Sequence, residues 1–174
     1  TASALAQRIG PRAETVAVTV NADDRLLADI QAAMAPDWIQ AHGAEPPQRL
    51  AEMGAFAQKG VIKAFSVARS ADFAPVLGFE PVADMLLFDA KAPAGADRPG
   101  GNAVAFDWAL LQGRRFARPW LLSGGLTPDN IGEAIRQSGA DLVDVSSGVE
   151  SAPGLKDPTR IAAFLAAAKA GPTL

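Results

Sequence analysis

Two glycine-bearing segments late in the chain have the residue types of an anion site. They are Ser123-Gly124-Gly125-Leu126 and Asp144-Val145-Ser146-Ser147-Gly148-Val149-Glu150, and each completes a short apolar run. Glycines there let backbone N–H groups come close to an anion, and a following helix N-terminus adds a favourable dipole. The alternative, less favoured, is that these glycines only make tight turns. A carboxylate ends a third run, Leu86-Leu87-Phe88-Asp89-Ala90-Lys91. Placed after four apolar residues, Asp89 would be partly desolvated, which raises a carboxyl pKa and suits a general acid. A helix cap or an ion pair with Lys91 is the alternative. Another run ends Gln40-Ala41-His42-Gly43, where the sole histidine is either structural or turned toward a ligand. Lys63 lies inside the apolar stretch Val61-Ile62-Lys63-Ala64 and needs a partner there. An interior ion pair is favoured over a ligand contact. Asn21, in Asn21-Ala22-Asp23, reads as a turn residue or an N-cap.

Composition narrows the chemistry. The chain has no cysteine and one histidine, so disulfides, thiolate metal sites and multi-histidine metal sites are excluded. No cofactor or metal is expected. The formal charge is −3 and no block of like charge occurs, which argues against nucleic acid as a partner. The apolar runs, such as Ile161–Ala168, are too short to cross a bilayer, and no secretory leader pattern opens the chain. A cytoplasmic location is the expectation, with the chain a monomer or homodimer.

The elements that must position these residues repeat along the chain. Apolar runs begin at Val16, Trp38, Val61, Met85, Trp120 and Leu142, spaced 22 to 24 residues apart except for one gap of 35. Runs this short and this poor in alternation read as buried parallel strands. Helical stretches fall between them: Ala2–Ile9, Asp23–Met34, Pro47–Gln58, one opened by Thr127 as N-cap and closed by Gly139, and one opened by Asp157-Pro158. Phe106-Asp107-Trp108 begins a further helix after a long Gly- and Pro-rich loop, 93–103, of the kind that covers a ligand. Alternation of strand and helix predicts an α/β fold, and the tight period predicts a (β/α)8 barrel rather than a doubly wound sheet. The expectation is one domain, 1–174, holding strands three to eight. A strand–helix–strand segment would then precede Thr1. In a barrel the active site lies at the C-terminal ends of the strands, and the loops after strands seven and eight often bind phosphate. The two glycine segments would then be those loops.

Taken together, Gln40-Ala41-His42-Gly43, Phe88-Asp89-Ala90-Lys91, Gly100-Gly101-Asn102, Phe106-Asp107-Trp108, Ser123-Gly124-Gly125-Leu126, Asp144–Glu150 and Pro153-Gly154-Leu155-Lys156-Asp157 resemble the phosphoribosylanthranilate isomerase family in order and spacing. The resemblance runs over essentially the whole chain. It implies a TIM barrel that carries out an Amadori rearrangement of N-(5-phosphoribosyl)anthranilate to 1-(2-carboxyphenylamino)-1-deoxyribulose 5-phosphate, in tryptophan biosynthesis. By the family pattern Asp89 is the general acid, Gly124, Gly125, Ser147 and Gly148 belong to the phosphate loops, and His42 and Asp144 lie near the sugar. The chain departs from the pattern in three places. It has no Lys-hydrophobic-Cys-Gly motif for the general base, no Ser-Pro-Arg-type motif, and alanine at 103 where the family has glycine. The first two motifs belong to the segment expected ahead of Thr1, and without the cysteine the 174 residues alone are expected to be inactive. Two other readings compete. The related aminoaldose isomerase of histidine biosynthesis would show a second glycine-rich phosphate loop in the front half, which is absent. A phosphosugar-binding barrel without catalysis would bind an analogue and never turn it over.

Overall fold

The computed structural model describes residues 2–91 and 105–170. The expected covering loop, with Ala103, lies outside the described residues. The chain forms two compact units. The first runs as far as Ala64 and takes in Pro75–Leu86; the second comprises Phe65–Ala74 and the chain from Leu87 onward.

The first unit opens with helix α1 (Ala2–Ile9) and strand β1 (Val16–Thr19), followed by α2 (Asp24–Met34), β2 (Trp38–Ala41), α3 (Pro47–Met53) and β3 (Gly60–Val67), which continues into the second unit. Asp23 caps α2 by accepting from the Leu26 N–H at 2.8 Å. The helix expected over 47–58 is α3 plus one 3-10 turn, Gly54–Phe56. β1, β2 and β3 pair in parallel, with Val16 opposite Trp38, Thr19 opposite Ala41, and Ala41 opposite Lys63. This register brings the first residues of the three strands out level, and β3 runs on past the ends of β1 and β2. Leu27, Ile39, Leu50 and Met53 are fully buried in this unit. Val16 and Val18 are exposed, as one face of β1, and so is Val20 just after it.

Lys63 and Glu45 form the buried ion pair that an apolar strand with a lysine demands. The Nζ–Oε2 distance is 3.0 Å, and the two side chains are 4% and 1% exposed. Burial alone would raise the Glu45 carboxyl. The Asn21 N–H, the Lys63 ammonium and the residue's own N–H outweigh it and hold the carboxyl below its ordinary 4.5. A carboxyl depressed by folding contributes stability above its unfolded pKa, and that contribution disappears as pH falls through the folded value. Urea midpoints should therefore decline below about pH 4.5. The Glu45→Gln variant should be less stable at neutral pH but show a shallower acid decline, since one of the depressed carboxylates among the described residues is gone while Glu14, Asp37, Asp72 and Glu133 remain. Equal acid slopes in the two proteins would remove Glu45 from the account.

The second unit holds most of β4 (Met85–Ala90), reached through the short helix α4 (Val76–Phe79) of the first unit. It continues with β5 (Trp120–Leu122), α5 (Ile131–Ser138), β6 (Leu142–Val143), a hairpin of β7 (Glu150–Ala152) and β8 (Leu155–Lys156), and α6 (Pro158–Lys169). Asp157 caps α6 by accepting from the N–H groups of Thr159 and Arg160, and Gly139 ends α5 at φ 72°. α5 starts later than its sequence suggests. Pro128–Asn130 form a turn, with helix from Ile131; the Thr127 N–H donates to the Asn130 side chain and the Thr127 carbonyl accepts from the Ile131 N–H, so the turn leads straight into the helix. Asp107 caps a 3-10 turn, Trp108–Leu111, in place of the expected helix.

Strands β1 to β6 follow one another in chain order within one parallel sheet. A doubly wound sheet reverses its order at a switch point; a (β/α) barrel does not. The fold is α/β with barrel-type winding.

Candidate active site

Strand β4 has two buried faces, the mark of a strand in a parallel sheet covered on both sides. Alternation along it sends Phe88 and Asp89 in opposite directions. Phe88 sits in an aromatic cluster, with ring centroids 4.8 Å from Phe116, 5.2 Å from Phe73 and 5.7 Å from Trp120. That packing fixes the strand's rotation, so Asp89 has no choice but the other face, where it is 5% exposed.

Backbone hydrogen bonds carry this register to the next strands. The Ser123 N–H donates to the Phe88 carbonyl at 2.8 Å, and the Asp144 N–H to the Leu122 carbonyl at 2.8 Å. The ends of β4, β5 and β6 therefore stand side by side. The Ser123 hydroxyl donates to Asp144 Oδ2 at 2.8 Å.

The glycines are required by space as well as by conformation. Gly124 and Gly125 have φ of 88° and 63°, a region that L side chains resist. A Cβ on Gly124 would lie 2.4 Å from the Ala90 nitrogen and 2.9 Å from Asp89 Oδ1. A Cβ on Gly148 would lie 1.8 Å from the Leu126 carbonyl oxygen. Among the described residues no backbone carbonyl accepts from the N–H of Gly124 or Gly125. Asn130 ties the first loop from behind, donating to the Gly125 carbonyl at 2.9 Å and accepting from Thr127. Lys156 ties the second, reaching the Ser146 carbonyl at 2.9 Å and Glu150 at 2.7 Å.

Asp89, Gly124, Gly125, Asp144, Ser147 and Gly148 line one depression of about 20 Å³. Its volume suits one small group on its floor, with the rest of a ligand outside. Six of the seven residues given a site role by the family pattern thus meet. The seventh, His42, belongs to the first unit, half-buried after β2, with Nδ1 2.8 Å from Gln40 Nε2. Sequence reading missed Ser123 as the Asp144 partner, Asn130 as the loop tie and Glu45 as the Lys63 partner. An asparagine three residues after a loop threonine is the one local signal that could have drawn notice. Among the described residues no three His, Asp or Glu side chains gather as a metal site needs, and none of the helices is long and apolar enough to cross a membrane. Larger hollows exist, such as one of about 400 Å³ beside α1 and α2, but small side chains line most of it.

Residues 2–167 match the family model described as N-(5'-phosphoribosyl)anthranilate (PRA) isomerase. The chain is 56% identical over 160 residues to the N-(5'-phosphoribosyl)anthranilate isomerase of Caulobacter vibrioides, covering 92% of this chain and 73% of that protein. It is 51% identical over 168 residues to that of Cereibacter sphaeroides, covering 97% and 79%. The crystal structure of phosphoribosyl anthranilate isomerase from Thermotoga maritima superposes with a TM-score of 0.83 at 33% identity, over 97% of this chain and 78% of that one. A second isomerase structure, in complex with reduced 1-(o-carboxyphenylamino)-1-deoxyribulose 5-phosphate, matches with a TM-score of 0.78 at 30% identity, over 97% and 77%. A carboxylate and two glycine loops meeting at the strand ends of an α/β fold, with a family match along nearly the whole length, place the chain in the N-(5'-phosphoribosyl)anthranilate isomerase family.

Proposed function

We propose that the protein catalyses the Amadori rearrangement of N-(5-phosphoribosyl)anthranilate to 1-(2-carboxyphenylamino)-1-deoxyribulose 5-phosphate, the isomerase step of tryptophan biosynthesis. The observation that carries this reading is the meeting of Asp89 with both glycine loops in one depression. The loops take the phosphate: backbone N–H groups at Gly124, Gly125, Ser147 and Gly148 offer donors without side chains in the way. The phosphate then anchors the sugar beside Asp89. As general acid, Asp89 protonates the ribose ring oxygen; the C1–O bond breaks, and the aniline nitrogen's lone pair forms the Schiff base. A base then removes the C2 proton, and the enolamine tautomerises to the aminoketose. By family resemblance that base is a cysteine, which these 174 residues do not contain, so they supply the acid and the phosphate anchor. By family resemblance Asp144, whose Oδ2 accepts from the Ser123 hydroxyl, and His42 match positions near the sugar.

The protein is read as a cytoplasmic monomer or homodimer; the Thermotoga maritima relative is described as dimeric, with monomers generated from it. The test uses the protein as the cell makes it. It should isomerise N-(5-phosphoribosyl)anthranilate, with the reduced aminoketose phosphate as a competitive inhibitor. Tight binding of that analogue without turnover would favour a phosphosugar-binding role. Failure to bind it would sink both.

A further inference from the structure

We propose that the buried Lys63–Glu45 pair is a positioning device for His42, setting its imidazole for the phosphosugar; this rests on the reading of His42 given above. The pair does more than neutralise itself. Lys63 Nζ donates to the Gly43 carbonyl at 2.7 Å, to Glu45 Oε2 at 3.0 Å and to the Ala41 carbonyl at 3.3 Å, which uses all three of its N–H bonds. Glu45 accepts from the Gly43 N–H at 3.0 Å through Oε2, and from the Asn21 N–H at 2.7 Å through Oε1. Both polar groups of Gly43 and the carbonyl of Ala41 therefore end on the pair. These are the residues on either side of His42. The His42 N–H is itself held by the Thr19 carbonyl at 2.8 Å. Asn21 closes the arrangement: its φ is 50°, its side chain accepts from the Ala44 N–H at 2.8 Å, and a Cβ on Gly43 would lie 2.5 Å from its Oδ1.

The result is a turn whose backbone on both sides of His42 is locked to two charged, water-excluded groups. The ring is then oriented by Gln40. An amide N–H can only donate, so with the Gln40 amide nitrogen facing the ring Nδ1 accepts, and the ring proton sits on Nε2. A pair needed for folding alone could have been two apolar side chains, which often serve stability equally well. These two charged groups are instead turned onto the peptide groups flanking one imidazole.

The double variant Lys63→Met/Glu45→Leu tests this, because it leaves no unpaired charge and keeps the volume. It should fold with a lowered melting temperature, because the Gly43 N–H and the Gly43 and Ala41 carbonyls lose their partners, so binding is read well below that temperature. Its affinity for the reduced aminoketose phosphate should fall about tenfold, the loss expected for one well-placed hydrogen bond. His42→Ala should cost a similar factor, and the triple variant should lose no more than His42→Ala alone. As His42 is the only histidine of the sequence, its ring nitrogens give a single NMR signature. That signature should report the Nε2–H tautomer in the native protein and tautomer averaging in the double variant. Independent, multiplying losses with an unchanged histidine spectrum would overturn the proposal and leave the His42 reading standing. Full affinity in His42→Ala would overturn both. If the double variant fails to fold, Glu45→Gln is read in the same way against His42→Ala.

Discussion

Replacing Asp89 with asparagine is expected to lower kcat by roughly 10²- to 10⁴-fold, the usual contribution of a general acid. Ring opening needs a proton on the sugar oxygen as the C1–O bond breaks, and a carboxamide has no acidic proton to give. Asparagine is nearly isosteric with aspartate, so the aromatic cluster that sets the rotation of β4 around Phe88 stays as it is. The glycine loops beside it also remain, so affinity for the reduced aminoketose phosphate should change little. The expected signature is a large loss in kcat with small changes in analogue binding and melting temperature. A kcat within about threefold of the native value would exclude Asp89 as the acid. A comparable loss in analogue affinity would instead make it a binding residue.

Gly124→Ala should damage both stability and ligand binding. Holding alanine at a φ of 88° costs about 1–2 kcal/mol. Its methyl group would also press on the Ala90 backbone nitrogen and Asp89 Oδ1, from 2.4 and 2.9 Å, and overpacking of this kind costs about 1–3 kcal/mol. Together these should lower the melting temperature by about 5–15 °C. The clash is against β4 backbone, which cannot swing away as a side-chain tip can. Relief must therefore come from moving the loop that carries the Gly124 and Gly125 N–H groups, and analogue affinity should fall with stability. Gly139→Ala is the control. It also has a positive φ, 72°, but nothing lies within 4 Å of its Cβ, so it should lose stability only, and by less. A Gly124→Ala protein as stable as the native one would show that the close approach to β4 is not maintained in solution.

The strands, most helices and the residues that gather at the strand ends were legible in the sequence because each rests on local chemistry. Short apolar runs at a period near 22 residues can be little else than buried parallel strands. Gly139 and Asp157-Pro158 are helix ends by the conformations they allow. Asp89 after Leu86-Leu87-Phe88, and glycines after the last two long strands, advertised the strand ends where barrels do their chemistry. Even the need for a partner to Lys63 was written in a lysine set among Val61, Ile62 and Ala64.

Tertiary structure alone decided who those partners are. Glu45 lies 18 positions from Lys63, and nothing along the chain joins them until β2 and β3 pair with Ala41 opposite Lys63. Ser123 meets Asp144 across 21 positions for the same reason. The start of α5 at Ile131 was hidden because Thr127-Pro128 carries the ordinary marks of a helix start, whereas the folded chain spends Pro128–Asn130 on a turn that leads into the helix. The need for glycine at 124 and 148 was likewise a fact of three dimensions: it comes from the β4 backbone at Ala90 and from the Leu126 carbonyl, which approach too closely for any side chain. Sequence by itself determined the elements, because propensity and hydrophobic period act over a few residues. Only the folded chain decided the contacts, because hydrogen bonds and steric limits act through space over a few ångströms, whatever the distance along the chain.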